Sequence, residues 1–514
     1  MTHTIRRLLA ALLAGLVALL AFAPGGTAPA AAGAASIAAA SPATSGGTGI
    51  HANATGRWKA LGAQAARRGS VPVIVRMNVT TRPEHLLSKA ARASQRREVS
   101  TTRAALLGEL ARKPQNLKTA NDMPLIAFTA TARDLRRLQK SPRVAVVTED
   151  QEYRLRVPSS GVSHADSGTP GTAPQAVVSP EASVTSSNGS TNQLRFWWDY
   201  YRIDVDIARE NGWNGKGKTV AIIDSGVARK HPWIFPRVVY EACFTRLATC
   251  PNGRTSMVGL GAAAPCTFTH NCAHGTHVAH TAAGKHGVAS AARILAVRVF
   301  YRAPNGSMTT SASDLVWSLR QVYLARTRFH IAAVNMSLGF GMYRGFCDNA
   351  PSDGTVNRTY LTGWIRQLRG VGIATVVSSG NGNAANGMEQ PACISYATSV
   401  GNTTRTPAGA DAVYGNVAGG SNANPTLDLL APGTDICSAV PLIFNRRGAE
   451  CDWTGTSMAA PHVTGAMAVL RQRRPAATVL QMEQALKAGG VPVTDSRNGI
   501  VRPRIDIWRS LGLI

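Results

Sequence analysis

Apolar and polar positions fall into blocks along this chain, and the blocks change character several times. Arg6 and Arg7 precede an unbroken apolar run from Leu8 to Phe22, followed by Ala/Gly/Pro-rich residues with Ala-x-Ala spacing near Ala30 and Ala32. That pattern predicts a signal peptide over 1–32, because the apolar run is shorter than the roughly 20 residues a spanning helix needs. Residues 33–56 are rich in Ala, Ser, Gly and Thr and predict a disordered segment. From 57 to 156 the period alternates between strand-like and helix-like. Strands are expected at Val71–Met77, Met123–Thr131 and Val144–Val147, with helices at Glu84–Leu110 and Ala132–Lys140. These make a small α+β module without cysteine. Residues 157–193 contain no Lys or Arg and are rich in Ser, Gly, Thr, Pro and Ala. They predict a flexible linker, where processing would be expected.

After residue 194 the pattern is that of an α/β domain reaching to 514. Short, continuous β-branched runs (Val220–Ile223, Arg293–Phe300, Ile331–Leu338, Ile373–Ser378) alternate with helical patterns (His274–Ala283, Ser311–Arg326, Arg358–Arg369, Thr456–Gln472). Unbroken apolar strands are buried on both faces, so the alternation predicts a parallel sheet flanked by helices. Such sheets place their sites at the carboxyl ends of the strands.

Charge and cysteine narrow the context. The net charge is +27, and it is spread evenly: 21 basic against 8 acidic residues in 57–156, and 32 against 18 in 194–514. No recognition helix, zinc finger or aromatic stacking motif accompanies it, so a nucleic-acid module is not expected and the charge reads as a solvated basic surface. All eight cysteines follow residue 240. An even number in an exported chain argues for disulfides. Nearest neighbours are the expected pairs: Cys243–Cys250, Cys266–Cys272, Cys347–Cys393 and Cys437–Cys451.

Three runs carry candidate chemistry. In Gly455-Thr456-Ser457-Met458-Ala459-Ala460-Pro461-His462, proline suggests a helix starting near Ser457, with the serine at the positive end of the helix dipole. A serine there is either a cap or a nucleophile. Thr219–Gly226 reads as a buried strand ending in Asp224, which is either a turn residue or a site carboxylate. His274-Gly275-Thr276-His277-Val278-Ala279-His280 opens a helix with histidine, and no glutamate sits where zinc-binding His-Glu-x-x-His would require one.

The order Asp224, His274, Ser457 is that of one of the known Asp–His–Ser triads, and the three runs together resemble the signature blocks of subtilisin-like serine peptidases over roughly residues 200–510. The resemblance implies a subtilisin-like catalytic domain preceded by an inhibitory propeptide at 57–156; the other reading of that module is an unrelated accessory domain. It implies that Ser457 is the nucleophile, His274 the general base and then acid, and Asp224 its orienting carboxylate. Asn381, in Ser378-Ser379-Gly380-Asn381-Gly382-Asn383, matches the oxyanion asparagine, although Asn-Gly is also a common turn. Ser337, Leu338 and Gly339 match the edge that pairs with substrate backbone, with Phe340 standing where the family usually has a small residue. His277 is read as packing, and His280 replaces a usual glycine on the side away from the site. Arg502–Asp506 resembles the end of the family's domain.

The expected protein is thus a secreted, monomeric endopeptidase, extracellular or periplasmic. It would act on extended polypeptides and be made as an autoprocessed zymogen with its own propeptide as inhibitor and folding aid. No cofactor is expected. Calcium is the family's usual ion, but Gly284–Ala289 is short and cationic where relatives carry an oxygen-rich loop; other calcium sites stay open. A non-catalytic scaffold would lack a triad or oxyanion residue, and an esterase elbow would need glycine where Ala459 stands.

Overall fold

The computed structural model describes residues 51–155, 197–348, 357–405 and 416–514. The expected signal peptide, most of the segment 33–56 and the linker 157–193 lie outside the described residues.

The N-terminal module begins with helix α1 (His51–Arg68), which starts inside the stretch whose composition suggested disorder. Then come β1 (Val71–Met77), α2 (Lys89–Gly108), β2 (Gln115–Thr119), β3 (Leu125–Ala130), α3 (Ala132–Lys140), β4 (Val144–Glu149) and β5 (Glu152–Arg154). The charged helix starts five residues later than its pattern suggested: Pro83 leads into one 3₁₀ turn, and Ser88 then caps α2 by accepting from Ala91 N. β1 is central and pairs antiparallel with both β3 and β4. Its apolar run, like that of β3, is buried on both faces. Val73, Val75, Ile126 and Phe128 face the module's own helices, while Ile74, Leu125 and Ala127 join the core of the larger domain.

That domain opens with α4 (Trp198–Arg202) and α5 (Val205–Glu210), then β6 (Thr219–Asp224), β7 (Val238–Phe244), β8 (Ser256–Val258) and α6 (His274–Ala283). It continues through β9 (Arg293–Arg298), β10 (Tyr301–Arg302), β11 (Met308–Ser311), α7 (Ala312–Phe329), β12 (Ile331–Met336), β13 (Phe340–Tyr343), α8 (Asn357–Gly370) and β14 (Ala374–Ser378). The last elements are β15 (Met388–Gln390), β16 (Thr398–Thr403), β17 (Leu429–Pro432), β18 (Ile436–Ala439), β19 (Ala449–Trp453), α9 (Thr456–Arg473), α10 (Val479–Gly489), β20 (Val491–Thr494), β21 (Val501–Arg504) and α11 (Ile507–Leu511). Ten strands form one sheet in the order β20-β21-β17-β16-β14-β12-β6-β9-β7-β8, parallel except for its outermost pairs. Separate apolar clusters cover its two faces, as unbroken apolar strands require. The carboxyl ends of β6, β12 and β14 lead to Asp224, Ser337 and Asn381.

The four disulfides join Cys243–Cys250, Cys266–Cys272, Cys347–Cys393 and Cys437–Cys451, the nearest-neighbour pairing expected. Among the described residues no helix is long and apolar enough to cross a membrane.

Candidate active site

Asp224 ends β6, the strand beside the sheet's middle, and His274 is the first residue of α6. Their side chains meet at 2.8 Å between Asp224 Oδ1 and His274 Nδ1, and both residues are fully buried. Asp224 Oδ1 also accepts from Ser225 N at 2.7 Å. His274 is set by its neighbours as well: Ser225 Oγ donates to Cys272 O at 3.0 Å and accepts from Gly275 N at 2.8 Å. That hydroxyl satisfies an otherwise orphaned N–H at the helix start. The Cys266–Cys272 disulfide closes the loop just before it. His274 Nε2, the ring nitrogen remote from Asp224, is buried with no hydrogen-bond partner among the described residues.

Ser457 is the second residue of α9, a helix buried from Thr456 to Leu470. Pro461 lies inside that helix, beyond its first turn, so proline does not mark the start as the sequence suggested. Its effect is different. Proline has no N–H to give the carbonyl four residues earlier, which is that of Ser457. Ser337 Oγ supplies the missing donor at 2.8 Å. Asn335 Nδ2 holds the Ser337 hydroxyl at 2.9 Å, and Thr464 Oγ1 holds Asn335 Oδ1 at 3.0 Å. The Ser457 hydroxyl itself donates to Ser337 O at 3.4 Å and makes no bond to His274. Trp453, four residues before Ser457, brings its ring within 6.2 Å of the His274 ring.

Asn381 follows β14. Its Oδ1 accepts from Thr456 N and Thr456 Oγ1, both at 2.9 Å, which turns the amide NH₂ away from Thr456, the residue preceding Ser457. The loop carrying it is held by Asn422, whose Oδ1 accepts from Gly382 N and Ala384 N at 2.9 Å. Gly380 has φ +107°, and a Cβ there would sit 2.6 Å from Glu389 Cδ; only glycine passes.

The edge Ser337–Gly339 lies between β12 and β13 and is buried at Ser337 and Leu338. It is not the strand to which the N-terminal module adds. That module's tail, β5, pairs antiparallel with β11, Thr309 opposite Arg154 and Ser311 opposite Glu152, and Tyr153 stacks on Phe340 at 3.3 Å between ring centres. β11 carried no recognisable pattern in the sequence, since four polar or mixed residues become a strand only through their partner.

The other histidines of the α6 block are packed against neighbouring elements. His277 stacks on Trp453, with ring centres 4.8 Å apart, and its Nε2 faces Ile436 O at 3.3 Å. Burial, reinforced by the nearby His274, pushes its pKa down to about 3. His280 Nδ1 meets Ser438 Oγ at 2.7 Å, and burial likewise holds its pKa well below the usual histidine value. A Cβ on Gly284 would collide with His280, so glycine there makes room for the extra ring. Farther along α9, His462 bridges Met458 O at 2.8 Å and Asp199 Oδ2 at 2.9 Å, wholly buried. This ties the serine helix to α4. Nothing in the spacing of Asp199 pointed to this pair.

Among the described residues no group of three or more His, Cys, Asp or Glu side chains is arranged to hold a metal. In the Gly284–Ala289 turn the carbonyls of His286 and Gly287 accept from the Arg209 guanidinium. Oxygens already facing a protein cation do not suit a calcium ion, so these residues do not fit one.

Residues 215–497 match the sequence profile of the subtilase family. The extracellular serine proteinase of Thermus sp. (strain Rt41A) is 28% identical over 391 residues, covering 74% of this chain and 75% of that protein. Subtilisin Savinase of Lederbergia lenta is 29% identical over 296 residues, covering 56% of this chain and 89% of the relative. The crystal structure of fervidolysin from Fervidobacterium pennivorans, described as a keratinolytic enzyme related to subtilisin, superposes with a TM-score of 0.57 at 20% identity, covering 86% of this chain and 61% of that one. The likeness to fervidolysin is one of fold.

Proposed function

The chain belongs to the subtilase family and is a serine endopeptidase, and from that premise we propose that Asp224, His274 and Ser457 form its catalytic triad. Asp224 holds His274 with Nδ1–H toward the carboxylate, leaving Nε2 to take the Ser457 proton as Oγ attacks the scissile carbonyl. The observation that carries this reading is the buried 2.8 Å Asp224–His274 bond with Nε2 left unpartnered. Catalytic hydrogen bonds are often slack until substrate binds, and a rotation of the Ser457 hydroxyl from Ser337 O to Nε2 would complete the chain. The tetrahedral oxyanion would be met by the Asn381 amide and the Ser457 backbone N–H at the positive end of α9. His274 would then protonate the leaving amine, and water would hydrolyse the acyl-enzyme. Substrate would lie extended along Ser337–Gly339, bound through its main chain.

The enzyme would be secreted as a zymogen, with 57–156 as its inhibitor. The pairing of β5 with β11, and the hydrogen bonds that Ser313 at the start of α7 donates to the Asp150 carboxylate, support this role for the module. Arg209 would stabilise the turn where a calcium loop is expected in relatives. Ser457→Ala should accumulate as full-length precursor without peptidase activity or fluorophosphonate labelling. Asn381→Ala should lose about 10²–10³ in turnover, the loss known for one oxyanion donor in a subtilisin. Normal processing and activity in Ser457→Ala would refute the triad.

A further inference from the structure

We infer that Glu389 makes the cleft beside Ser337–Gly339 select a basic side chain, arginine or lysine, on the residue whose carbonyl Ser457 attacks; the inference rests on the peptidase reading of that cleft. Glu389 sits in β15, which pairs antiparallel with β13 immediately after the Ser337–Gly339 edge, Gln390 opposite Phe340. It is only 3% exposed. Its side chain lies between two glycine backbones. A Cβ on Gly339 would strike the Glu389 carboxylate and stand 2.8 Å from its Cβ, while a Cβ on Gly380 would stand 2.6 Å from its Cδ. One wall is therefore the proposed substrate edge, and the other is the residue preceding Asn381. Neither glycine has a side chain of its own to set against the carboxylate, and Asn422 Nδ2 also approaches the Gly380 position.

Ser337 O is 3.4 Å from Ser457 Oγ, and Gly339 is two residues farther, roughly 7 Å along extended backbone. The aliphatic stem of lysine or arginine suits such a reach, with its charged head at the end. A carboxylate accepts several donors at once, so contacts it already makes leave room for an incoming ammonium or guanidinium. Away from bulk water such a pair is also stronger than at the surface. An apolar side chain in the same place would leave the charge desolvated without a new partner.

The chain's own sequence fits this selection. The tail of the N-terminal module runs along β11 as far as Leu155, whose N–H donates to Met308 O at 3.0 Å. The next residue is Arg156, the last Lys or Arg before the linker 157–193. Self-processing after Arg156 would present the expected basic residue.

The test uses the processed enzyme on matched peptides that differ only in the residue before the scissile bond. Arg and Lys peptides should show kcat/KM at least about tenfold above Leu and Gln peptides, and fragments of a denatured protein should end in Arg or Lys. Glu389→Gln should lower that preference about 10- to 100-fold, the loss expected for one charge-assisted hydrogen bond, whereas Glu389→Asp should retain a basic preference. The wild-type profile decides the matter even if Glu389→Gln fails to fold. Labelling at Ser457 with cleavage indifferent to basic residues overturns this inference and spares the peptidase reading. Absence of both cleavage and label overturns the two together.

Discussion

A buried histidine is a stability sensor before it is anything else, and His277 and His280 show how that works in α6. Burial pushes the His277 pKa down to about 3, with the neighbouring His274 adding to the effect, against about 6.5 in an unfolded chain. When the pH falls below about 6.5 the unfolded chain takes up the proton and the folded one does not. Folding stability should therefore drop by roughly 1.4 kcal/mol per pH unit for this residue until about pH 3. His280 is shifted in the same direction. Melting temperatures of the Ser457→Ala protein, which cannot digest itself, should fall on acidification from pH 7 to 4. His277→Gln, which keeps a donor for Ile436 O, should flatten that slope by about one proton's worth. An unchanged Tm–pH profile in His277→Gln would reject the account. Asp224, His274, Ser457 and Asn381 could be singled out as candidates because their motifs are local runs. Ser225, Asn422 and Asp199 were not, because each acts on a segment distant in sequence: 50, 40 and 263 residues away in their principal bonds.

Among elements, those with a clear apolar period or a capping residue at their start were readable almost to their ends. β1 and α3 match the expected Val71–Met77 and Ala132–Lys140, and α6 matches His274–Ala283. β2, β5 and β11 escaped because they are short or polar, and a strand of that kind exists only where a partner edge is offered. The junction they build has its own chemistry. Asp150 Oδ1 accepts from Ser313 N at 2.9 Å and Oδ2 from Ser313 Oγ at 2.7 Å, placing a carboxylate at the positive end of α7. Beside it, Lys118 forms a buried ion pair with Asp314. Asp150→Asn in the separate module 51–156 should raise its inhibition constant against mature enzyme about tenfold or more, since a hydrogen bond to a charged group contributes about 1.5–3 kcal/mol. Equal inhibition by wild-type and variant modules would remove Asp150 from the interface energetics.

At the scale of the molecule, the two pieces that meet at this junction carry charge of the same sign, with 21 basic against 8 acidic residues in 57–156 and 32 against 18 in 194–514. Their contact therefore sets short-range attraction against long-range repulsion. Two of the attractive pairs are close and shielded, Lys118–Asp314 almost fully buried and Arg320–Asp122 meeting at 2.6 Å with little exposure, while Arg246–Glu152 is more open to solvent on the Glu152 side. The repulsion acts through solvent between surfaces several ångströms or more apart. Salt distinguishes the two, because the Debye length shrinks from about 30 Å at 0.01 M to about 3 Å at 1 M while buried pairs are screened much less. Raising NaCl from about 0.02 to 0.5 M should consequently leave inhibition by the separate module unchanged or make it tighter, chiefly through faster association. A module that releases the enzyme tenfold more readily in high salt would mean that exposed charges, not the buried pairs and the β5–β11 ladder, hold it in place.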